Sequence, residues 1–283
     1  MTPRNNEDRI GATQSPSPPI PAAQQSDDSG LFSFVAPTEF VELPSKGMYY
    51  PEGHPLHDQT VIEIKHMTAK EEDILTSEAL LRNELAVDRL LESVIVNKNI
   101  KVSDLLLGDK SAILIGTRIT GFGSLYDVAA TCPSCSKDSD YTFDLNEIKA
   151  RERVMADGAQ DEGEGIFSFE LPKSKVRIYV RLLTSKDEKR IASLLINKQG
   201  KASANPVTGL LKSIIVQANE HIDPPTLHKF IESMPIPDVK HLKKIYDGIK
   251  PDLDLRFDFT CPLCSETGKV GMPLTAKFFW PDA

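Results

Sequence analysis

No apolar run in this 283-residue sequence approaches the ~20 residues that cross a bilayer, which argues against a membrane role. The start, Met1-Thr-Pro-Arg, stays polar and lacks the apolar stretch of a secretory signal. Positive charge is short: 33 Lys and Arg stand against 41 Asp and Glu, a formal net charge of −8. Sequence-independent nucleic-acid binding needs a positive surface that displaces counterions from phosphates, so this balance argues against it. The histidines (His54, His57, His66, His221, His228, His241) are scattered, without His-Glu-x-x-His spacing. Gly108-Asp-Lys-Ser111 has the tail of a phosphate loop but not its upstream glycine. No carboxylate pair stands out, and nothing resembles a catalytic constellation, so an enzyme is not expected.

Cysteine is scarce as well, but it is patterned. All four fall in Cys132-Pro-Ser-Cys135 and Cys261-Pro-Leu-Cys264. A protein that folds in a reducing cytoplasm keeps its thiols free, and two close pairs there favour metal over disulfides. A Cys-x-x-Cys turn presents both sulfurs on one side of a tight bend, and proline inside it fixes a backbone angle. Two such turns make the four-cysteine shell of structural zinc, in which no position stays open for water. Cys132, Cys135, Cys261 and Cys264 are therefore the expected zinc ligands, a staple and not a catalyst. A redox motif normally opens a helix, whereas both pairs here lie between strand-like stretches. Iron–sulfur proteins carry longer cysteine series. Four unmetallated thiols stay open as the plain alternative.

The fold expected is α+β, built from short strands and helices. Residues 1–30, rich in proline, serine and glutamine, bury too little to offset the entropy of ordering and read as a disordered tail. Residues 31–60 read as an extended aromatic arm, punctuated by Pro37, Pro44, Gly47, Pro51 and Pro55. Its Phe32, Phe34, Phe40, Tyr49 and Tyr50 either cover their own domain or dock on a neighbouring subunit. Phe278, Phe279 and Trp280 carry the same two readings. Val61–His66 alternates like a strand, and Thr68-Ala-Lys-Glu71 is a capping box opening a helix to about Leu81. Further helices are expected over 83–97, 103–107 and 110–120, the last stopped by Gly121 and Gly123. Strands Tyr126–Thr131 and Tyr141–Leu145 flank the first cysteine pair.

The second half repeats the first in order. Glu42-Leu-Pro-Ser-Lys46 is matched by Glu170-Leu-Pro-Lys-Ser174, and Val61–Lys65 by Val176–Val180. Met67-Thr-Ala-Lys-Glu-Glu72 is matched by Leu183-Thr-Ser-Lys-Asp-Glu188, Leu90–Val96 by Leu210–Val216, and Thr131–Ser136 by Thr260–Ser265. The reading is an internally duplicated module, each copy ending in a zinc-ribbon-like Cys-Pro-x-Cys knuckle. The first repeat spans 61–150, an acidic linker 151–166, and the second repeat 167–283. The unit is too long for a solenoid, so two lobes are expected to meet at their knuckles.

The run Phe40–Tyr50, followed by Ile64-Lys-His-Met-Thr-Ala-Lys-Glu-Glu-Asp-Ile-Leu75, resembles baseplate hub proteins of T-even-like contractile-tailed bacteriophages. The similarity extends from about Leu31 to Cys135, and the second cysteine pair is consistent with it. The resemblance implies a structural component of the virion's tail baseplate, hub or hub-proximal, assembled in the host cytoplasm and binding other tail proteins in several copies. A baseplate assembly factor absent from the mature virion stays open, as does a zinc-ribbon nucleic-acid binder, against which the acidic charge weighs.

Overall fold

The computed structural model describes residues 36–82, 85–195, 206–272 and 278–279. The expected tail 1–30 and the candidates Phe32, Phe34 and Trp280 lie outside them.

The first half opens on a two-stranded antiparallel sheet of β1 (Thr38–Glu42) and β2 (Val61–Lys65). The loop between them folds inward, because Leu43, Tyr49, Tyr50 and Leu56 are all buried. Gly47 makes this possible: at φ +73° it lies so close to Gln59 and Leu56 that a Cβ would sit 2.3 Å from the Gln59 nitrogen. Helix α1 (Ala69–Thr76) begins at the expected capping box, with Glu71 reaching back to the Thr68 N–H at 3.0 Å. The expected continuous helix breaks at the extended Ser77, and α2 (Glu78–Arg82) follows. Helix α3 (Ala86–Val94) buries Leu90, Leu91 and Val94 on one face, as their spacing requires.

The helix expected over 103–107 is instead a short 3-10 turn, Val102–Asp104, followed by extended chain. Leu105 and Leu106 pair with the second half there: Ser185 N–H reaches the Leu105 carbonyl at 2.8 Å, and Leu107 N–H the Leu183 carbonyl at 3.2 Å. Non-local hydrogen bonds thus override a weak local helix preference. Helix α4 (Leu107–Phe122) then runs through the core and stops at Gly123, φ +81°. The Arg118 guanidinium, lying over the Phe122 ring, donates to the Gly123 and Leu125 carbonyls and so ties the helix end to the chain leaving it. That chain is the hairpin β3 (Leu125–Thr131) and β4 (Asp138–Asp144).

After β5 (Lys149–Ala150), the acidic stretch read as a linker contributes a strand of its own. Here β6 (Gln160–Gly163) is the exposed edge of a four-stranded sheet, β6-β7-β8-β9, with β7 (Ile166–Glu170), β8 (Arg177–Arg181) and β9 (Ile215–Ala218). β8 begins one residue later than the pattern Val176–Val180 suggests, which buries Ile178 and Val180. Helices α5 (Ser185–Leu195), α6 (Pro206–Ile214), α7 (Pro224–Ser233) and α8 (Ile236–Ile249) follow. Strand β10 (Leu253–Asp254) pairs back with β5, and the hairpin β11 (Arg256–Thr260) and β12 (Thr267–Gly271) completes the fold.

One apolar core links both halves, from Leu43 to Phe279. Contacts between the halves therefore reach well beyond the cysteines. Tyr49 packs on Phe167 at 5.5 Å, and Lys110 of α4 pairs with Glu188 of α5 at 2.7 Å.

Candidate metal centre

Each cysteine pair sits at the tip of a hairpin. In the first, Thr131 opposes Asp138 at the last rung, Cys132 N–H donates to the Lys137 carbonyl, and Ser136 N–H returns to the Cys132 carbonyl at 2.8 Å. Ser136 takes φ +55° to close the turn. The second tip has the same bonds: Thr260 opposes Thr267, Cys261 N–H donates to Glu266, Ser265 N–H returns to Cys261 at 2.9 Å, and Ser265 has φ +58°.

Alternation along the strands turns the apolar sides of the hairpins toward each other. Phe143 packs on Phe257 at 4.8 Å between ring centres, and Tyr141 meets Phe259 edge-on at 6.0 Å. This contact brings the tips together. The sulfurs of Cys132, Cys135, Cys261 and Cys264 lie within 4.8 Å of one another. Cys132 Sγ is 3.8 Å from Cys264 Sγ, and Cys135 Sγ is 3.8 Å from Cys261 Sγ. Four sulfurs at the corners of a tetrahedron around zinc, each about 2.3 Å from it, are about 3.8 Å apart. The donor set therefore fits a four-coordinate ion in both chemistry and spacing. Cys132 and Cys261 are buried, Cys135 is half-buried and Cys264 faces solvent.

The electrostatics point the same way. The N–H groups of Cys264 and Leu263 are directed at the Cys261 sulfur and bring its thiol down to about 6. At Cys264 the Glu266 N–H also lowers the value. It is outweighed by Cys261, burial and the two facing cysteines, and the thiol is pushed up to about 12. One sulfur can ionise only at its neighbour's expense, as like charges in one site require. A divalent cation removes that conflict. The Tyr141 hydroxyl lies beside the cluster; burial, then the nearby Cys261 and Cys132, raise its pKa, against a hydrogen bond with Ser139 that lowers it.

Among the described residues there is no second cluster of three or more such ligand groups. His54 and His57 are occupied in the inward loop: His54 accepts the Leu56 N–H and stacks on Tyr50, while His57 Nδ1 lies 2.7 Å from the Tyr50 carbonyl. Gly108-Asp-Lys-Ser111 falls within the opening turns of α4. Of the aromatic candidates, Phe40 is 67% exposed, whereas Tyr49, Tyr50, Phe278 and Phe279 are buried within this chain. Phe278 stands edge-on to Tyr126 at 5.3 Å.

Two aspartates with no local signal hold the entry turns of the halves. Asp109, third in α4, accepts the Ser45 N–H and hydroxyl and the Tyr50 hydroxyl. Asp238, third in α8, accepts the Lys173 and Ser174 N–H groups at 2.7 and 2.9 Å. Each precedes the first cysteine of its own half by the same number of residues, a spacing that could have revealed them.

Fold and site together define a mixed α+β protein with a four-cysteine cluster, compatible with a metal ion, where two hairpins meet. A model of the family described as T4 bacteriophage base plate protein matches residues 36–280. The chain belongs to that family, which makes it a structural protein of the phage tail baseplate. No curated protein and no solved structure matches it. No described helix is long and apolar enough to cross a membrane.

Proposed function

We propose that this chain is a zinc-stapled scaffold at or near the baseplate hub, built from a duplicated module and binding neighbouring tail proteins in several copies. The observation that carries this reading is the pair of equal sulfur separations. Exchanging the two halves turns Cys132–Cys264 into Cys261–Cys135, and both are 3.8 Å. Such an isologous contact is what a two-fold relation between copies of one module produces. A closed shell of four thiolates gives the ion a structural role, holding the tips of the two hairpins together.

Other correspondences support the duplication. The Glu71 carboxylate takes Lys65, the Thr68 N–H and the Thr68 hydroxyl. Asp187 takes Arg181, the Thr184 N–H and the Thr184 hydroxyl at the same spacing. Ile64 bridges to Ile95 in the first half, as Val180 pairs with Ile215 in the second. A nucleic-acid ribbon would need a basic face, yet the exposed side of the first hairpin carries Asp127, Asp138 and Asp140.

Mass spectrometry of purified tails tests the placement. The chain should be present in the finished particle in more than one copy. Its absence there, with presence in assembly intermediates, would make it an assembly factor instead.

A further inference from the structure

β1 and β7 hold the same place in the two halves. Each ends in Glu-Leu-Pro, with Glu42 opposite Val61 and Glu170 opposite Arg177. The flanking bonds match: Leu43 N–H to Thr60 and His66 N–H to Pro37 in the first half, Leu171 N–H to Val176 and Leu182 N–H to Gly165 in the second. Their outer edges differ. β7 is covered by β6, Ser168 pairing with Gln160 and Ile166 with Gly163. β1 has β2 as its one strand neighbour among the described residues. Antiparallel ladder bonds alternate sides, so the backbone groups of Thr38, Phe40 and Glu42 face the open edge. Ser168 is fully buried, whereas its counterpart Phe40 is 67% exposed. Beside it lies a groove of about 780 Å³ lined by Val41, Val61, Ile115, Ile119, Ile148 and Leu253. A strand edge with no strand partner among the described residues, next to an apolar groove, suits strand addition.

The equivalence also names the occupant. β6 joins β7 through Glu164 and Gly165, at φ +48° and +73°, the two-residue hairpin turn with both residues left-handed. Counted from the shared Glu-Leu-Pro, Pro37 stands at the place of Gly165, and Phe32–Val35 at the place of β6. Proline is locked near −65° and cannot enter that turn. Pro37 therefore excludes that two-residue turn at the start of β1. The sequence before it, Leu31-Phe-Ser-Phe-Val35, nevertheless carries the aromatic and β-branched residues that favour strands. We propose that residues 31–35 of a second copy of this chain add to the open edge of β1 as an antiparallel strand, their aromatic side chains entering the groove. The inference rests on the duplication proposed above. Repeated head to tail, the exchange links copies into a ring or an open chain.

The test uses the full chain with a photo-reactive benzoylphenylalanine at position 40, mixed with a copy carrying a different tag. Cross-linked peptides should join position 40 of one tag to residues 31–35 of the other. Sedimentation should show oligomers whose association falls about tenfold or more in Phe32→Asp/Phe34→Asp. Phe40→Pro should act alike, since it removes an edge N–H and leaves the β1–β2 bonds intact. Zinc content should be unchanged in both. A zinc-loaded protein that is monomeric at every concentration, or a cross-link confined to one chain, overturns this inference alone. Loss of zinc from the parent protein would instead remove the staple and leave the cross-link standing.

Discussion

The Cys132 sulfur stands 3.8 Å from that of Cys264, although the two residues come from hairpins in different halves of the chain. The small cluster of Cys132, Phe259 and Cys261 is separate from the main core. Metal removal should therefore act locally. Hydrogen exchange after chelation, or in Cys132→Ser, should show lost protection at the hairpin tips, residues 131–138 and 259–267, while the hairpin bases, whose Tyr126, Phe143 and Phe257 belong to the main core, stay protected. Helix α4, anchored in the main core, should keep its protection.

Glu71 gives a pH-dependent prediction. Its carboxylate is fully buried. Burial pushes its pKa up, but hydrogen bonds from Lys65, Ser93 and Thr68 outweigh this and bring it from 4.5 to about 2. A depressed folded value contributes stability above the unfolded pKa, and that contribution is lost as pH falls from 4.5 through about 2. Glu71→Gln should cost about 2 kcal/mol near neutral pH and flatten the acid limb of urea-unfolding stability.

Gly47 cannot be replaced without moving backbone. At φ +73°, with the Leu56 carbonyl oxygen only 2.5 Å from where a Cβ would stand, Gly47→Ala should cost about 3 kcal/mol, read as a lowered melting temperature. Gly53, also at positive φ but with open space around it, should tolerate alanine better.

Tyr50 joins the inward loop to α4. Its hydroxyl donates to Asp109 at 2.8 Å and accepts the Leu106 N–H at 3.1 Å. Tyr50→Phe should leave that buried amide unpaired and cost about 1–3 kcal/mol. Asp109→Ala should cost more in the same denaturant titration, because it strands three donors at once.

Local chemistry is readable in the sequence. The Thr68–Glu71 box, the Gly123 helix stop and the strands around each cysteine pair follow from residues a few positions apart. What stays hidden depends on distant partners. Asp109 meets Ser45 across 64 residues, and Asp238 meets Lys173 across 65, so neither clasp leaves a local pattern. Residues 103–107 look helical by composition, but Val102–Asp104 forms only a short 3-10 turn, and Leu105 and Leu106 are drawn extended by Leu183 and Ser185. β6 is exposed on all four residues, so no alternation marks it, and only its pairing with β7 makes it a strand. Tyr49 and Tyr50 read as cover for their own domain, with arm anchors as the alternative. The Gly47 turn decides for the core by folding their loop inward.

X-ray absorption at the zinc edge, with metal counted on the purified full chain, tests the central claim most directly. The expected result is one zinc per chain with four sulfur neighbours at about 2.3 Å and no nitrogen or oxygen ligand. A metal-free protein whose four thiols react freely in the native state, or an ion with an open or mixed shell, would contradict it.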